Sequence, residues 1–285
     1  LHGRQRPASR RAGGGLLMRR IWPVLMLLLA SCAAEPRIAP GQIVSNTPCV
    51  DAVLAEIAAP GQIGAVSIWS HDPASASAPL DWARAHPALG LTAEEVIAAQ
   101  PKLLLTGNLA AGGTNAALRA AGVPLRTYGV PLNVADSISQ IRDIAAAIGR
   151  QPQGEQLAKA IAQAAKPRTL PRPISAIIWQ SGGFVPGKGT LQDDLLARAG
   201  YRNASALYGL TQWDILPVEH VLAHPPDLIF MPESATGSDN RELASRRKLL
   251  ARLGNRTRII AFPDKLLFCG GPSIIAAMHR LKAAV

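Results

Sequence analysis

Glu94-Glu95-Val96-Ile97-Ala98-Ala99-Gln100-Pro101-Lys102-Leu103-Leu104-Leu105 is answered 125 positions later by Glu219-His220-Val221-Leu222-Ala223-His224-Pro225-Pro226-Asp227-Leu228-Ile229-Phe230. Each copy reads as a Glu-led helical turn, then a proline that stops the helix, then a short apolar strand. A period near half the chain points to two similar lobes and not to a solenoid of short repeats. Two α/β lobes facing each other leave a cleft, and clefts between lobes are where ligands bind. A helix, proline, strand unit can arise by chance, but here the Glu and the Pro keep the same spacing in both copies.

Outward from the repeat, strand and helix signals alternate. Ile43-Val44-Ser45 and Ile63 to Ile68 read as buried strands with a helix between them from about Asp51. Lys102 to Thr106 is a strand, Thr114 to Ala121 a helix and Leu125 to Tyr128 a strand. This alternation implies a mostly parallel sheet covered on both faces. In the middle, Val134, Ile138, Ile141, Ala145 and Ile148 recur at helical spacing and Gly149 closes the helix. A second helix, Gln153 to Ala165, precedes the Pro-rich stretch 167–173 and makes a strut between the lobes. The alternation then restarts with a strand at Ile174 to Trp179, a glycine-rich loop at Gly182 to Gly189, and a helix capped by Thr190. A charged helix around Arg241 to Leu253, a strand at Arg258 to Phe262 and a last helix from Pro272 complete it. The fold class is therefore α/β, with two Rossmann-like lobes of mostly parallel sheets joined by a helix. The divisions are a leader at 1–31, a tether at 32–42, a first lobe at 43–133, linking helices at 134–173 and a second lobe at 174–285.

Met18-Arg19-Arg20 followed by the ten apolar residues Ile21 to Ala30 has the form of a secretory signal. The run is far below the roughly 20 residues a spanning helix needs. Residues 1–17 read as an upstream extension before a start at Met18. Leu29-Ala30-Ser31-Cys32 resembles a bacterial lipobox, which makes Cys32 the lipidated first residue of the mature chain; an ordinary signal cut a residue or two later is the alternative. All 19 acidic residues and 24 of the 30 basic ones lie beyond the leader, so the mature part carries +5 and not +11. No basic stripe with interleaved aromatics occurs, which argues against nucleic acid as a partner. Cys49 and Cys269 remain, and spacing leaves a disulfide, two thiols near a ligand, or two distant buried residues open.

The order of elements and the repeated phrase resemble the periplasmic binding proteins whose lobes are joined by a helix and which deliver cobalamin, ferric siderophores or heme to ABC importers. The resemblance covers nearly all of Ile43 to Leu281. It rests on Ile43-Val44-Ser45-Asn46-Thr47-Pro48-Cys49-Val50-Asp51, on the phrase ending Pro101-Lys102-Leu103-Leu104-Leu105, where Lys102 departs from the usual Asp, on Gly182-Gly183-Phe184 through Asn203, and on Val218 to Ile229. It implies a lipid-anchored, monomeric solute-binding protein of the periplasm or cell envelope, working with a permease and an ATPase. Its cargo would be a corrinoid or a ferric siderophore, with no cofactor, no resident metal and no catalysis.

By position the resemblance nominates Glu94 and Glu219 for docking to the permease, one on each lobe. A charge pair fixes register on a partner, although each Glu also suits a helix N-terminus. The nominated cleft residues are Cys49, Trp69, Gln180, Phe184, Trp213, Phe268 and Cys269. Aromatic faces suit a flat chelate because they bury much area at little entropic cost, and only 4% of the chain is aromatic. A bridge between Cys49 and Cys269 would restrict lobe opening, so separate thiols lining the cleft are expected. Arg84, Arg119 and Arg126 are the candidates for an anionic siderophore. His71, His86, His220 and His224 lack a metal-ligand spacing, which weakens a zinc or manganese carrier; His71 alone is a candidate axial ligand to a bound chelate. Gly182 to Lys188 nearly spells a phosphate loop, but Gly189 stands where Ser or Thr must meet magnesium. A tetrapyrrole enzyme of chelatase-like fold is the remaining alternative, and a secretion signal argues against it.

Overall fold

The strands at the centre of each sheet are short, aliphatic and buried on both faces, as strands of a parallel sheet covered by helices must be. The computed structural model describes residues 38, 40–90, 92–107, 112–232 and 237–285. The leader, the lipobox and Cys32 lie outside them. The described residues from Ile38 onward form one compact unit.

The first lobe holds β1 (Ile43–Ser45), β2 (Ile63–Ser67), β3 (Ala88–Leu89), β4 (Leu103–Gly107) and β5 (Leu125–Tyr128), all parallel, in the order β3-β2-β1-β4-β5. Its helices are α1 (Pro48–Ile57), α2 (Leu80–Arg84), α3 (Ala93–Ala99) and α4 (Gly112–Ala120). Pro48 suits the first turn of α1, where its missing N–H costs nothing. A reciprocal capping box between Thr92 and Glu95 starts α3, and Gln100 ends it in a left-handed conformation before Pro101.

Two helices link the lobes, α5 (Val134–Ala147) and α6 (Gln151–Ala164). Asn133 caps α5 by accepting from the Asp136 N–H at 2.9 Å. Gly149, at φ +70°, turns the chain into α6. The pair forms a hairpin and an Arg142–Glu155 ion pair of 2.8 Å spans it on the surface.

The second lobe holds β6 (Ile174–Ile178), β7 (Phe184–Pro186), β8 (Tyr201–Asn203), β9 (Trp213–Ile215), β10 (Leu228–Met231) and β11 (Arg258–Ala261). Its helices are α7 (Leu191–Arg198), α8 (Val218–Ala223), α9 (Gly237–Leu250) and α10 (Ser273–Ala283). The parallel sheet, read β8-β6-β10-β11, repeats the β2-β1-β4-β5 order of the first lobe. The duplicated phrase thus has a physical meaning: its two strands, β4 and β10, each lie beside the first strand of their own lobe.

One part differs from the sequence reading. The segment expected to be a glycine-rich loop contains β7, which pairs antiparallel with β9, Phe184 opposite Ile215 and Pro186 opposite Trp213. Three strand residues between glycines are too few to show an alternation, and their partner strand lies 27 residues further on.

The main core runs through both lobes and the linking helices, joining Ile43 and Val53 to Ile141 and Ile161 and on to Phe230 and Ile274. Smaller clusters lie under the outer face of each sheet.

Candidate functional site

In an open parallel sheet the crossovers on either side of one strand pair leave in opposite directions, and a crevice forms at their carboxyl ends. In the first lobe that pair is β1 and β4, and a cavity of about 370 Å³ opens there. Asn46 and Thr47 follow β1 and form its floor with Thr106 and Gly107 at the end of β4. The walls are Val50 and Val53 of α1, Ile141 and Ile144 of α5, and Tyr128 to Pro131 after β5. Trp69 and the segment 268–271 complete the lining. Among the described residues none of those lining it is Asp, Glu, Lys, Arg or His.

Four of the sequence-nominated residues meet at this pocket: Cys49, Trp69, Phe268 and Cys269. The expectation of two separate thiols is overturned, because Cys49 and Cys269 form a disulfide with Cα atoms 5.1 Å apart. The reason lies in the path of the chain. After a 3-10 turn at Asp264–Leu266, residues 268–271 leave the second lobe and lie against the first as a strap. The Gly271 N–H donates to Ser137 Oγ at 2.7 Å. A Cβ at Gly270 would fall 2.5 Å from Pro131 Cγ and 2.9 Å from Ser137 Oγ, and Gly271 has φ +84°, so only glycine permits this seat. The Ser77 hydroxyl approaches the Cys269 sulfur at 3.3 Å. The bridge therefore ties the strap to the first-lobe wall on which it rests.

Trp69, half exposed, sits in the 3-10 turn Ile68–His71 that follows β2. A buried carboxylate on α1 shapes that turn. Asp51 Oδ2 accepts from the Ser67 N–H at 2.8 Å and from the Ser70 hydroxyl at 2.6 Å. Burial pushes the Asp51 carboxyl up to about 6, against the opposing hydrogen bonds from Ser45, Ser70 and Ser67. Helix α1 thus holds both aromatic rims, Phe268 through Cys49 and Trp69 through Asp51.

Tyr128 is a lining residue that sequence reasoning missed, although its place at the end of β5 was a signal. Its hydroxyl donates to Asp143 Oδ2 at 2.8 Å, while Arg126 holds the other oxygen at 2.7 Å. Burial, and then the bond to Asp143, push the phenol well above its ordinary range. In this state the hydroxyl is held by Asp143 at the pocket wall. Val130 and Ile141 were missed too, the latter because helical spacing marked it only as core.

Gln180, Phe184 and Trp213 do not line this pocket. Gln180 is buried, and its carbonyl accepts from Arg246. Phe184, Trp213 and Ile215 share one face of the β7–β9 pair, with 44%, 39% and 57% exposure. Glu94 and Glu219 are exposed in the first turns of α3 and α8, one on each lobe. The arginine candidates for an anion lie elsewhere: Arg84 donates to the His71 carbonyl, Arg126 is paired with Asp143 and Arg119 is exposed on α4. His71 is not a lining residue, the His86 ring packs at a tilt against Trp82, and His220 and His224 are exposed. Among the described residues no three His, Cys, Asp or Glu side chains gather into a metal-holding group.

A family model described as "Periplasmic binding protein" matches residues 43–252. Solved structures share the fold. The periplasmic heme-binding protein RhuT from Roseiflexus sp. RS-1 is 24% identical over 86% of this chain and 99% of its own, with a TM-score of 0.68. The periplasmic heme-binding protein HutB of Vibrio cholerae is 18% identical over 85% of this chain and 98% of its own, also at 0.68. A periplasmic heme-binding protein from Pseudomonas aeruginosa is 22% identical over 86% of this chain and 92% of its own, at 0.64. A search among curated protein sequences finds no match.

Proposed function

The chain belongs to the periplasmic binding protein family, and from that premise we propose that it is the solute-binding lipoprotein of an ABC importer whose cargo is a corrinoid. The observation that carries the ligand class is the lining of the first-lobe pocket, mostly apolar and, among the described residues, without a charged side chain or a histidine. A corrinoid brings axial groups of its own and a rim of neutral amides, so it needs flat apolar walls and little else. Heme iron takes axial donors such as His or Tyr from its protein, and heme carries two carboxylates. Trp69 and Phe268 would cover the faces of the macrocycle; Phe184 and Trp213 would meet the part that projects beyond the pocket. The protein would perform no chemistry on its cargo. Acyl chains on Cys32 would hold it to the membrane of the cell envelope, since two or more chains anchor a protein stably. Glu94 and Glu219 would fix its register on the permease. A ferric siderophore fits less well, because no arginine lines the pocket.

Heme is the second reading, favoured by the structural likeness to proteins named as heme-binding. Titrating the full chain with dicyanocobinamide, cyanocobalamin and hemin separates the two, with tryptophan fluorescence and the visible spectrum as readouts. The expected result is corrinoid binding at micromolar or tighter affinity, weakened at least tenfold by Trp69→Ala. Hemin bound tighter than both corrinoids would transfer the assignment to heme.

A further inference from the structure

We infer that the Cys49–Cys269 bridge is a redox-sensitive positioning element: it fixes the 268–271 strap, and with it Phe268, at the pocket, and its reduction releases the strap and weakens ligand capture. Apart from the close packing of Gly270 on Pro131 and Ser137 and of Gly271 on Val53, few polar contacts hold the strap to the first lobe. Among the described residues, that side offers one main-chain hydrogen bond, from Gly271 to Ser137, and a hydroxyl contact of Ser77 with the bridged sulfur. Gln192 grips the Leu267 carbonyl at 2.7 Å, but from the second lobe. Gly270 and Gly271 have no side chains to anchor and more backbone freedom than any other residue once released. Phe268 is 44% exposed and depends on the backbone beside it for its position.

The two sulfurs differ in access. Cys269 is 3% exposed, whereas Cys49 is only partly buried and lines the pocket. An incoming thiolate of a dithiol attacks the Cys49 sulfur, and the Cys269 thiolate leaves and takes a proton. The second thiolate of the dithiol then displaces Cys49, which is protonated in turn. Two electrons and two protons reduce the bridge as the dithiol becomes a disulfide. A ligand in the pocket covers Cys49, and linkage is reciprocal: if reduction weakens the ligand tenfold, the ligand makes the bridge tenfold harder to reduce at equilibrium.

The affinity half of this inference rests on the ligand reading above; the strap half does not. The test compares native full chain with chain that is folded, reduced by dithiothreitol and alkylated, so that no variant has to fold without the bridge. Hydrogen exchange across residues 264–272 should rise at least tenfold on reduction while far-UV circular dichroism stays the same. Affinity for dicyanocobinamide or hemin, whichever binds, should fall at least tenfold, and Phe268→Ala in the oxidised protein should reproduce most of that loss. Unchanged exchange in the strap overturns the inference, as does unchanged affinity for a probe that binds, and so does global unfolding on reduction, because the bridge would then act on the whole fold. If neither probe binds the oxidised protein, the ligand reading falls, and the exchange result alone decides the strap. The Cys49→Ser/Cys269→Ser double variant should match the reduced protein in both readouts.

Discussion

After β1 the chain runs Asn46-Thr47-Pro48, which line the open pocket beside β4, whereas after β6 it runs Trp179-Gln180-Ser181, with the Trp179 side chain packed into the second lobe's own apolar cluster. Trp179 is fully buried, its indole N–H donates to the Gly183 carbonyl at 3.1 Å, and the Arg246 guanidinium lies 4.8 Å above its ring. The β7–β9 pair packs onto the same cluster through Val185. The two lobes share a strand order, but the residue after the first strand differs. It is small and polar beside the pocket, and large and aromatic in the second lobe's cluster. The repeat carries a second difference at its proline-strand junction. Asp227 accepts from the Ser175 N–H and hydroxyl, both at 2.7 Å, and so staples β10 to β6; Lys102, its counterpart, cannot accept.

The largest expected effect comes from the bridge, which ties the second lobe's strap to the open lobe. It closes a loop of 220 residues, for which the chain-entropy relation gives about 5 kcal/mol. Denaturant unfolding of oxidised and reduced chain should differ by several kcal/mol, and a difference under 1 kcal/mol would remove the bridge from the account. Next is Trp179→Ala in the second lobe, expected to cost about 4 kcal/mol as a large buried aromatic. Its affinity for whichever probe binds the native chain should remain close to native; a large loss of affinity would mean the second lobe's cluster takes part in binding.

Asp51 gives the third effect, and its sign is opposite to that of a salt-bridged carboxylate. Its folded value of about 6 lies above the ordinary 3.8, so the folded state binds the proton more tightly. Its contribution to stability is greatest below pH 3.8, falls as pH rises toward 6 and is lost above it, by about 3 kcal/mol in all. Asp51→Asn should remove that slope; the stability difference between variant and native chain, followed from pH 4 to 7, isolates it from other carboxyls. A difference independent of pH would refute it. The smallest effect is Asp227→Ala, expected to cost about 2 kcal/mol for hydrogen bonds to a charged group, whereas Lys102→Ala should stay within about 0.5 kcal/mol as a surface change. Equal costs would erase the contrast between the two junctions.

Much of this frame was legible before any coordinates. Pro101 and Pro225 mark the ends of α3 and α8 by local chemistry, and the aliphatic runs after them could only be buried strands. Trp69 and Phe268 were found because the resemblance points to strand-end loops. The rest depends on tertiary contacts that no local pattern encodes. That residues 268–271 return to the first lobe follows from the packing of Gly270 on Pro131 and Ser137, which no local pattern encodes, so the sequence reading favours two thiols where the chain forms a bridge. Gln180, Phe184 and Trp213 lie on the second lobe and not in the first-lobe pocket, since a shared topology does not reveal which lobe carries a cavity. Asp51 read as a helix residue because its partners, Ser67 and Ser70, lie 16 and 19 positions away.

The most direct test of the central claim is the visible spectrum and native mass of the full chain recovered from its own cell envelope with its natural ligand bound. The expected result is one corrinoid per chain, with corrin absorption bands that disappear on denaturation and return when a corrinoid is added back to refolded protein. A Soret band would assign heme and contradict the corrinoid. A chain that carries no chromophore and takes up neither corrinoid nor heme in titration would contradict the claim that this pocket holds a tetrapyrrole.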